Sequence, residues 1–143
     1  MRRPGETLTV AGRAGDSAPD GVQFAGLLDP AGFRALLRRA RVYVTAPRRE
    51  DYGLSQLEAL ADGCRLVTTP APGPYAALPI ARALDPRMVD DDLASALRAG
   101  LDADDDVYAR RAAELLSPFR REAVDAVVAD ELLPRLLVAE RRG

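Results

Sequence analysis

Apolar and polar positions follow two periods along this chain, and the period changes mark the predicted elements. Leu8 to Gly12 is a short β-compatible run closed by Gly12-Arg13-Ala14-Gly15, and Asp16 to Gly21, with Pro19, reads as a polar turn. Val22-Gln23-Phe24 alternates apolar and polar and stops at Gly26. Asp29-Pro30 then offers an N-cap followed by proline at the first helical position. Phe33, Leu36, Leu37 and Ala40 form a stripe while Arg34, Arg38 and Arg39 face away, which predicts a helix ending near Arg41. Val42-Tyr43-Val44-Thr45-Ala46, β-branched and aromatic, is the clearest strand, and Pro47 ends it. Leu54, Leu57, Leu60 and Ala61 recur at helical spacing up to Asp62-Gly63, where the glycine is a natural C-terminal cap. Leu66 to Thr69 reads as another strand closed by Pro70, Pro72, Gly73 and Pro74, and Ala81 to Asp85 as a last short one.

Strands alternating with helices at these intervals imply right-handed crossovers and an α/β fold, a Rossmann-like parallel sheet with helices on both faces. From Val89 onward the pattern is helical. Asp90-Asp91-Asp92 and Asp104-Asp105-Asp106 each stand where a helix begins, and acidic side chains favour that end of the helix dipole. Phe119 to Arg141 places Val124, Val127, Val128, Leu132, Leu133, Leu136 and Leu137 on one side, with Pro134 expected to bend the helix. That stripe is expected to pack on the sheet or on a further domain, more readily than on a membrane surface. No repeat or linker divides the chain, so residues 1–143 read as one domain, with residues 1–88 its α/β part and residues 89–143 its helical C-terminal extension.

Composition narrows the chemistry. The 143 residues contain no Lys, His, Asn or Trp, which removes Ser-His-Asp triads, His-ligated zinc, Schiff-base lysines and a P-loop lysine. Twenty basic residues, all Arg, oppose 22 acidic ones for a net charge of −2, so no global field draws the chain to nucleic acid. Cys64 is the only cysteine and reads as a buried spectator, compatible with a reducing cytoplasm. No apolar run approaches the roughly eighteen residues of a membrane span.

The informative stretch is Arg48 to Val67. The chain has seven glutamates, and two of them, Glu50 and Glu58, bracket the start of one predicted helix. In a parallel sheet the loop after a strand's carboxyl end and the following helix N-terminus form the rim where ligands bind. Glu50 lies in that loop, and Glu58 falls one turn after Leu54, on or beside the apolar stripe, where a carboxylate requires hydrogen-bond donors. The amides of Gly53, Leu54 and Ser55 are expected to be free donors suited to a phosphate. Two readings follow from the residues: a site for a phosphorylated, hydroxyl-rich ligand, or a capped helix with two surface glutamates.

Glu50-x-Tyr52-Gly53-x4-Glu58-Ala59-Leu60-Ala61-x-Gly63-x2-Leu66-Val67 resembles the Glu-x7-Glu signature of retaining group 1 (family 4) glycosyltransferases of the GT-B fold, usually written E-x-F-G-x4-E-A-x-A-x-G-x-P-V-V. Val22-x-Phe24-x-Gly26 and Leu8 to Gly12 are similar to the family's strands upstream of it, so the likeness covers Leu8 to Leu101. The resemblance implies that Glu50 is catalytic, contacting donor-sugar hydroxyls and stabilising the reacting centre. It implies that Glu58 accepts ribose hydroxyls, that the amides of Tyr52, Gly53 and Leu54 approach sugar and phosphate, and that Leu28 lies against the nucleobase. It implies retention of anomeric configuration, a nucleoside-diphosphate sugar as donor, and no obligatory metal or cofactor.

The sequence also departs from the pattern. It starts at what corresponds to the second strand of the donor-binding domain, without the first strand and helix, the Arg/Lys pair that neutralises the diphosphate, or the acceptor domain. Arg13, Arg48 and Arg49 are candidates to replace that pair. Pro72-Gly73-Pro74-Tyr75-Ala76-Ala77 stands where the family has a Gly-Gly turn and a downstream Glu. The expectation is the donor-binding half of a glycosyltransferase, a truncated domain inactive alone, completed by an acceptor domain, a partner chain or self-association. The alternative is a non-catalytic nucleotide- or protein-binding module on the same scaffold, or a vestigial domain with no ligand.

Overall fold

A computed structural model describes residues 4–12, 15, 17–103 and 105–140. The chain is mixed α/β, and its strands form two separate parallel pairs. β1 (Leu8–Ala11) runs beside β2 (Val22–Gly26) from Leu8 opposite Val22 to Ala11 opposite Gly26, with a register slip between Val10 and Ala11. β3 (Val42–Thr45) runs beside β4 (Arg65–Thr68) from Val42 opposite Arg65 to Thr45 opposite Thr68. The single continuous sheet expected from the alternation is therefore replaced by two two-stranded sheets, which share no ladder among the described residues.

Helices bridge and cover the strands. Pro30 opens α1 (Pro30–Leu37) behind Asp29, whose Oδ1 accepts the Gly32 amide at 2.7 Å. The helix stops at Leu37, short of Arg41, because Ala40 turns its amide back to the carbonyls of Leu36 and Leu37 and feeds β3 directly. α2 (Leu54–Ala61) joins β3 to β4, and the Asp62-Gly63 stop is where the sequence places it. Ala81 to Asp85 is not a strand: α3 (Ala77–Leu84) occupies it, because Ala77, Ile80, Ala81 and Leu84 fall at three- and four-residue intervals and are buried together. A 3-10 turn (Pro86–Met88) leads to Val89, which bridges Thr68 in parallel, and then to α4 (Leu93–Asp102) and α5 (Asp105–Leu115).

The main core lies around β4, all four residues of which are buried, with Leu57, Leu60, Ile80, Leu84, Met88 and Tyr108 packed about them. Tyr108 also accepts the Leu66 amide on its hydroxyl at 3.1 Å, so the outer edge of β4 is covered by a side chain where no strand continues. Burial pushes that phenol up to about 12. A smaller cluster of Leu37, Ala59 and Cys64 seats α1 against α2. Cys64 is buried there, as the sequence suggests, and burial raises its thiol to about 11, which keeps it protonated and unreactive.

Arg34 of α1 and Asp62 at the end of α2 form a two-pronged ion pair, joined by Arg38 at 3.3 Å. The Arg34 hydrogen bond holds the Asp62 carboxyl, whose side chain is only 5% exposed, below the usual carboxylate range. A lowered native value means stability that is complete above the unfolded carboxylate range near pH 4 and is lost as pH falls through the native value. With Arg34 about one-third exposed, the pair is expected to contribute about 1 kcal/mol. Asp62→Asn should therefore be less stable than wild type at pH 7, and the two should converge in urea titrations as pH falls through the lowered native value of Asp62.

Beyond α5 the chain leaves the core. A 3-10 turn (Ser117–Phe119), α6 (Arg121–Val127), a π-helical stretch (Val128–Leu132) and α7 (Leu133–Glu140) form an arm. The π stretch ends just before Pro134, which has no amide to donate into the preceding turn. Val124, Val127, Val128, Leu132, Leu133, Leu136 and Leu137 are all exposed, so of the two expected packings, on the sheet or on a further domain, the first is not made. No helix of the described residues is long and apolar enough to cross a membrane.

Candidate functional site

The loop after β3 and the loop after β4 are held against one another. The Glu50 amide donates to the Pro72 carbonyl at 3.1 Å and the Ala76 amide to the Tyr52 carbonyl at 3.0 Å. Two glycines allow this arrangement. Gly73 has φ +128°, and a Cβ there would stand 1.8 Å from the Glu50 carbonyl oxygen. Gly53, the N-cap of α2, has φ +81° and meets Tyr75 and Ala77 so closely that a Cβ would lie 3.2 Å from the tyrosine ring. Tyr75 is buried in this seam and donates its hydroxyl to the Thr69 carbonyl at 3.0 Å.

Glu50 turns its carboxylate onto the start of α2. Oε1 accepts the amides of Asp51 at 3.1 Å and Gly53 at 3.2 Å, and Oε2 accepts Nε2 of Gln56 at 3.3 Å. Three donors and the positive end of the helix dipole thus favour a fixed anion. The Gly53 amide, expected to be free, is taken by Glu50 itself. Tyr43 of β3 donates its hydroxyl to Ser55 Oγ at 3.1 Å, tying strand to helix beside this point.

Glu58 is half-buried one turn along the helix and lines a groove of about 580 Å³ with Arg34, Tyr52, Leu54, Leu57 and Phe119. Arg34 is held above its ordinary value chiefly by the Asp62 hydrogen bond, with Glu58 adding to the attraction, so this wall carries both signs of charge. The groove's lining does not include Glu50. Leu28 lines a separate hollow of about 200 Å³ with Ala11, Gly12, Leu27 and Phe33.

The structure therefore gathers Glu50, Tyr52, Gly53, Leu54 and Glu58 on one loop-and-helix unit and leaves Leu28 apart. Tyr52 and Leu54 present exposed side chains. Of the candidate phosphate-binding arginines, Arg49 pairs with Asp51 at 3.1 Å, Arg48 is exposed, and Arg13 lies outside the described residues. The acidic run at residues 90–92 serves α4: Asp92 Oδ1 accepts the amides of Ala94 and Ser95, and Asp90 accepts that of Asp92. In the second run, Asp104 lies outside the described residues and α5 opens at Asp105. Among the described residues no three His, Cys, Asp or Glu side chains are grouped to hold a metal.

Gln56 and Arg65 are the polar residues of this region that the hydrophobic pattern passes over, and both are buried. The predicted stripe of α2 ran through Leu54 and Ala61, whereas the buried face runs through Gln56, Leu57, Ala59 and Leu60. A polar residue flanked by that face was the available signal. Compared with models of known protein families, with curated proteins and with solved structures, the chain matches none.

Proposed function

We propose that this chain is the donor-binding part of a retaining glycosyltransferase, taking a nucleoside-diphosphate sugar and working with an acceptor-binding segment supplied by further polypeptide. The observation that carries the reading is Glu50: a carboxylate fixed by three donors at the amino end of α2, with the second glutamate of the signature on the same helix. Glycosyl transfer with retention passes through an oxocarbenium-like sugar and a departing diphosphate. Preorganised groups of both signs stabilise it better than a strong base does, so a chain without histidine can serve. In this reading Glu50 faces the sugar, Glu58 accepts ribose hydroxyls, and the amides of Tyr52 and Leu54, beside the Gly53 amide that Glu50 takes, approach sugar and phosphate. The β3–α2–β4 unit, a parallel pair joined by a helix, suits half of a GT-B enzyme, and one wall of a cleft alone leaves the chain inactive, because positioning two reactants needs both walls.

Titration of the labelled chain with uridine, guanosine and adenosine diphosphate sugars is the test. Amide shifts centred on Gly53 and Glu58 are expected for at least one of them, and Glu58→Ala should weaken that binding by about 1–3 kcal/mol, the value of a hydrogen bond to a charged group. Unshifted amides at millimolar ligand would remove the reading. The exposed arm favours a second one, a protein-binding module on the same scaffold. Deleting residues 128–143, which lie beyond the groove that Glu58 lines, discriminates: donor shifts survive it in the first reading, and partner binding is lost in the second.

A further inference from the structure

We infer that Gln56 is the positioning residue for the Glu50 carboxylate, an assignment that rests on the donor-site reading. Gln56 has 0% exposure and sits on the inward face of α2 beside Leu57, Ala59 and Leu60. Both backbone donors to Glu50 go to Oε1, and both come from its own loop. The other oxygen is held by Gln56 Nε2, so this contact sets the rotation of the carboxylate plane and therefore the direction in which its charge faces. The orientation of the amide follows from charge: turned over, its carbonyl oxygen would face an anionic oxygen.

That orientation leaves Gln56 Oε1 buried with no donor among the described residues. A methionine of the same length would fill the space without an unmatched acceptor, so packing does not account for a glutamine here. Its donor does. A residue kept only for structure should destabilise the chain when replaced; a positioning residue that carries an orphan acceptor should not.

The experiment compares the full chain with Gln56→Met and Gln56→Glu. For Gln56→Met the melting temperature is expected to stay level or rise, while affinity for the best-bound of uridine diphosphate glucose, guanosine diphosphate mannose and adenosine diphosphate glucose falls roughly tenfold. Gln56→Glu, which sets a second carboxylate against the first, should lose more. A lowered melting temperature with unchanged affinity would overturn the assignment and leave the donor-site reading standing. If wild type binds none of the three, that reading fails, and the bracing is read without ligand from the Gln56 side-chain amide in nitrogen-15 spectra. Slow exchange that becomes fast in Glu50→Ala supports it; fast exchange in wild type overturns it.

Discussion

Gly73→Ala is expected to be the most damaging single-methyl change in the chain, lowering stability by about 3–5 kcal/mol from backbone strain and steric overlap together. The two costs arise at one atom. At φ +128° an L-residue is strained wherever it stands, and here the added Cβ would also lie 1.8 Å from the Glu50 carbonyl oxygen. That oxygen belongs to backbone and cannot rotate away, so relief requires the two loops to part and the Glu50-to-Pro72 hydrogen bond to break. Gly63→Ala is the control. Gly63 has φ +92° but open space around its missing Cβ, so its substitution should cost only about 1 kcal/mol of conformational strain. Urea midpoints with unchanged slopes would report both values, and amide shifts spreading through residues 49–56 in the Gly73 variant would place its damage at the glutamate loop. Equal losses in the two variants would mean that the loops do not touch in solution.

Arg65→Ala is the second large effect, an expected loss of about 3–5 kcal/mol in keeping with breaking a buried charged network. Arg65 begins β4, is 1% exposed, and reaches across to the end of α4, where its guanidinium donates to the carbonyls of Gly100 at 2.6 Å and Ala103 at 2.7 Å. The last carbonyls of a helix have no partner within it, and the negative end of the dipole lies there, so a buried cation satisfies both. Arg65→Met keeps much of the volume and should recover part of the loss. Arg65→Lys should not match wild type, since one ammonium cannot reproduce the planar fork. Thermal melts rank the three. Faster hydrogen exchange confined to α4 in the methionine variant would trace the effect to the helix end; a methionine variant as stable as wild type would assign the loss to packing instead.

Local rules account for what was legible. The strands from Val22 and Val42 announced themselves by β-branched and aromatic residues, α1 by Asp29-Pro30, and the stop of α2 by Gly63. That Glu50 and Glu58 share one loop-and-helix unit was legible too, since the seven residues between them span a single helix start. Ala81 to Asp85 was misread because five residues cannot separate a buried strand from a buried helix turn. The role of Arg65 depends on carbonyls more than thirty residues away, and Gln56 on how two loops close over a helix start. Neither leaves a local trace beyond a polar letter in an apolar neighbourhood. The split between the strand pairs was equally hidden, because alternation predicts strands and crossovers but not which edges meet.

That split gives unfolding a seam. β1 and β2 share hydrogen bonds with each other and none with β3 and β4 among the described residues, and the link from this first pair to the main body includes one ion pair, Glu6 with Arg98. The central strand β4, by contrast, is enclosed by helices and a tyrosine hydroxyl. Cooperativity follows hydrogen-bonded and packed continuity, so the amino-terminal pair can open as its own foldon while the body around β4 remains native. The chain then denatures in two tiers, and its first melting step reports only on the smaller one.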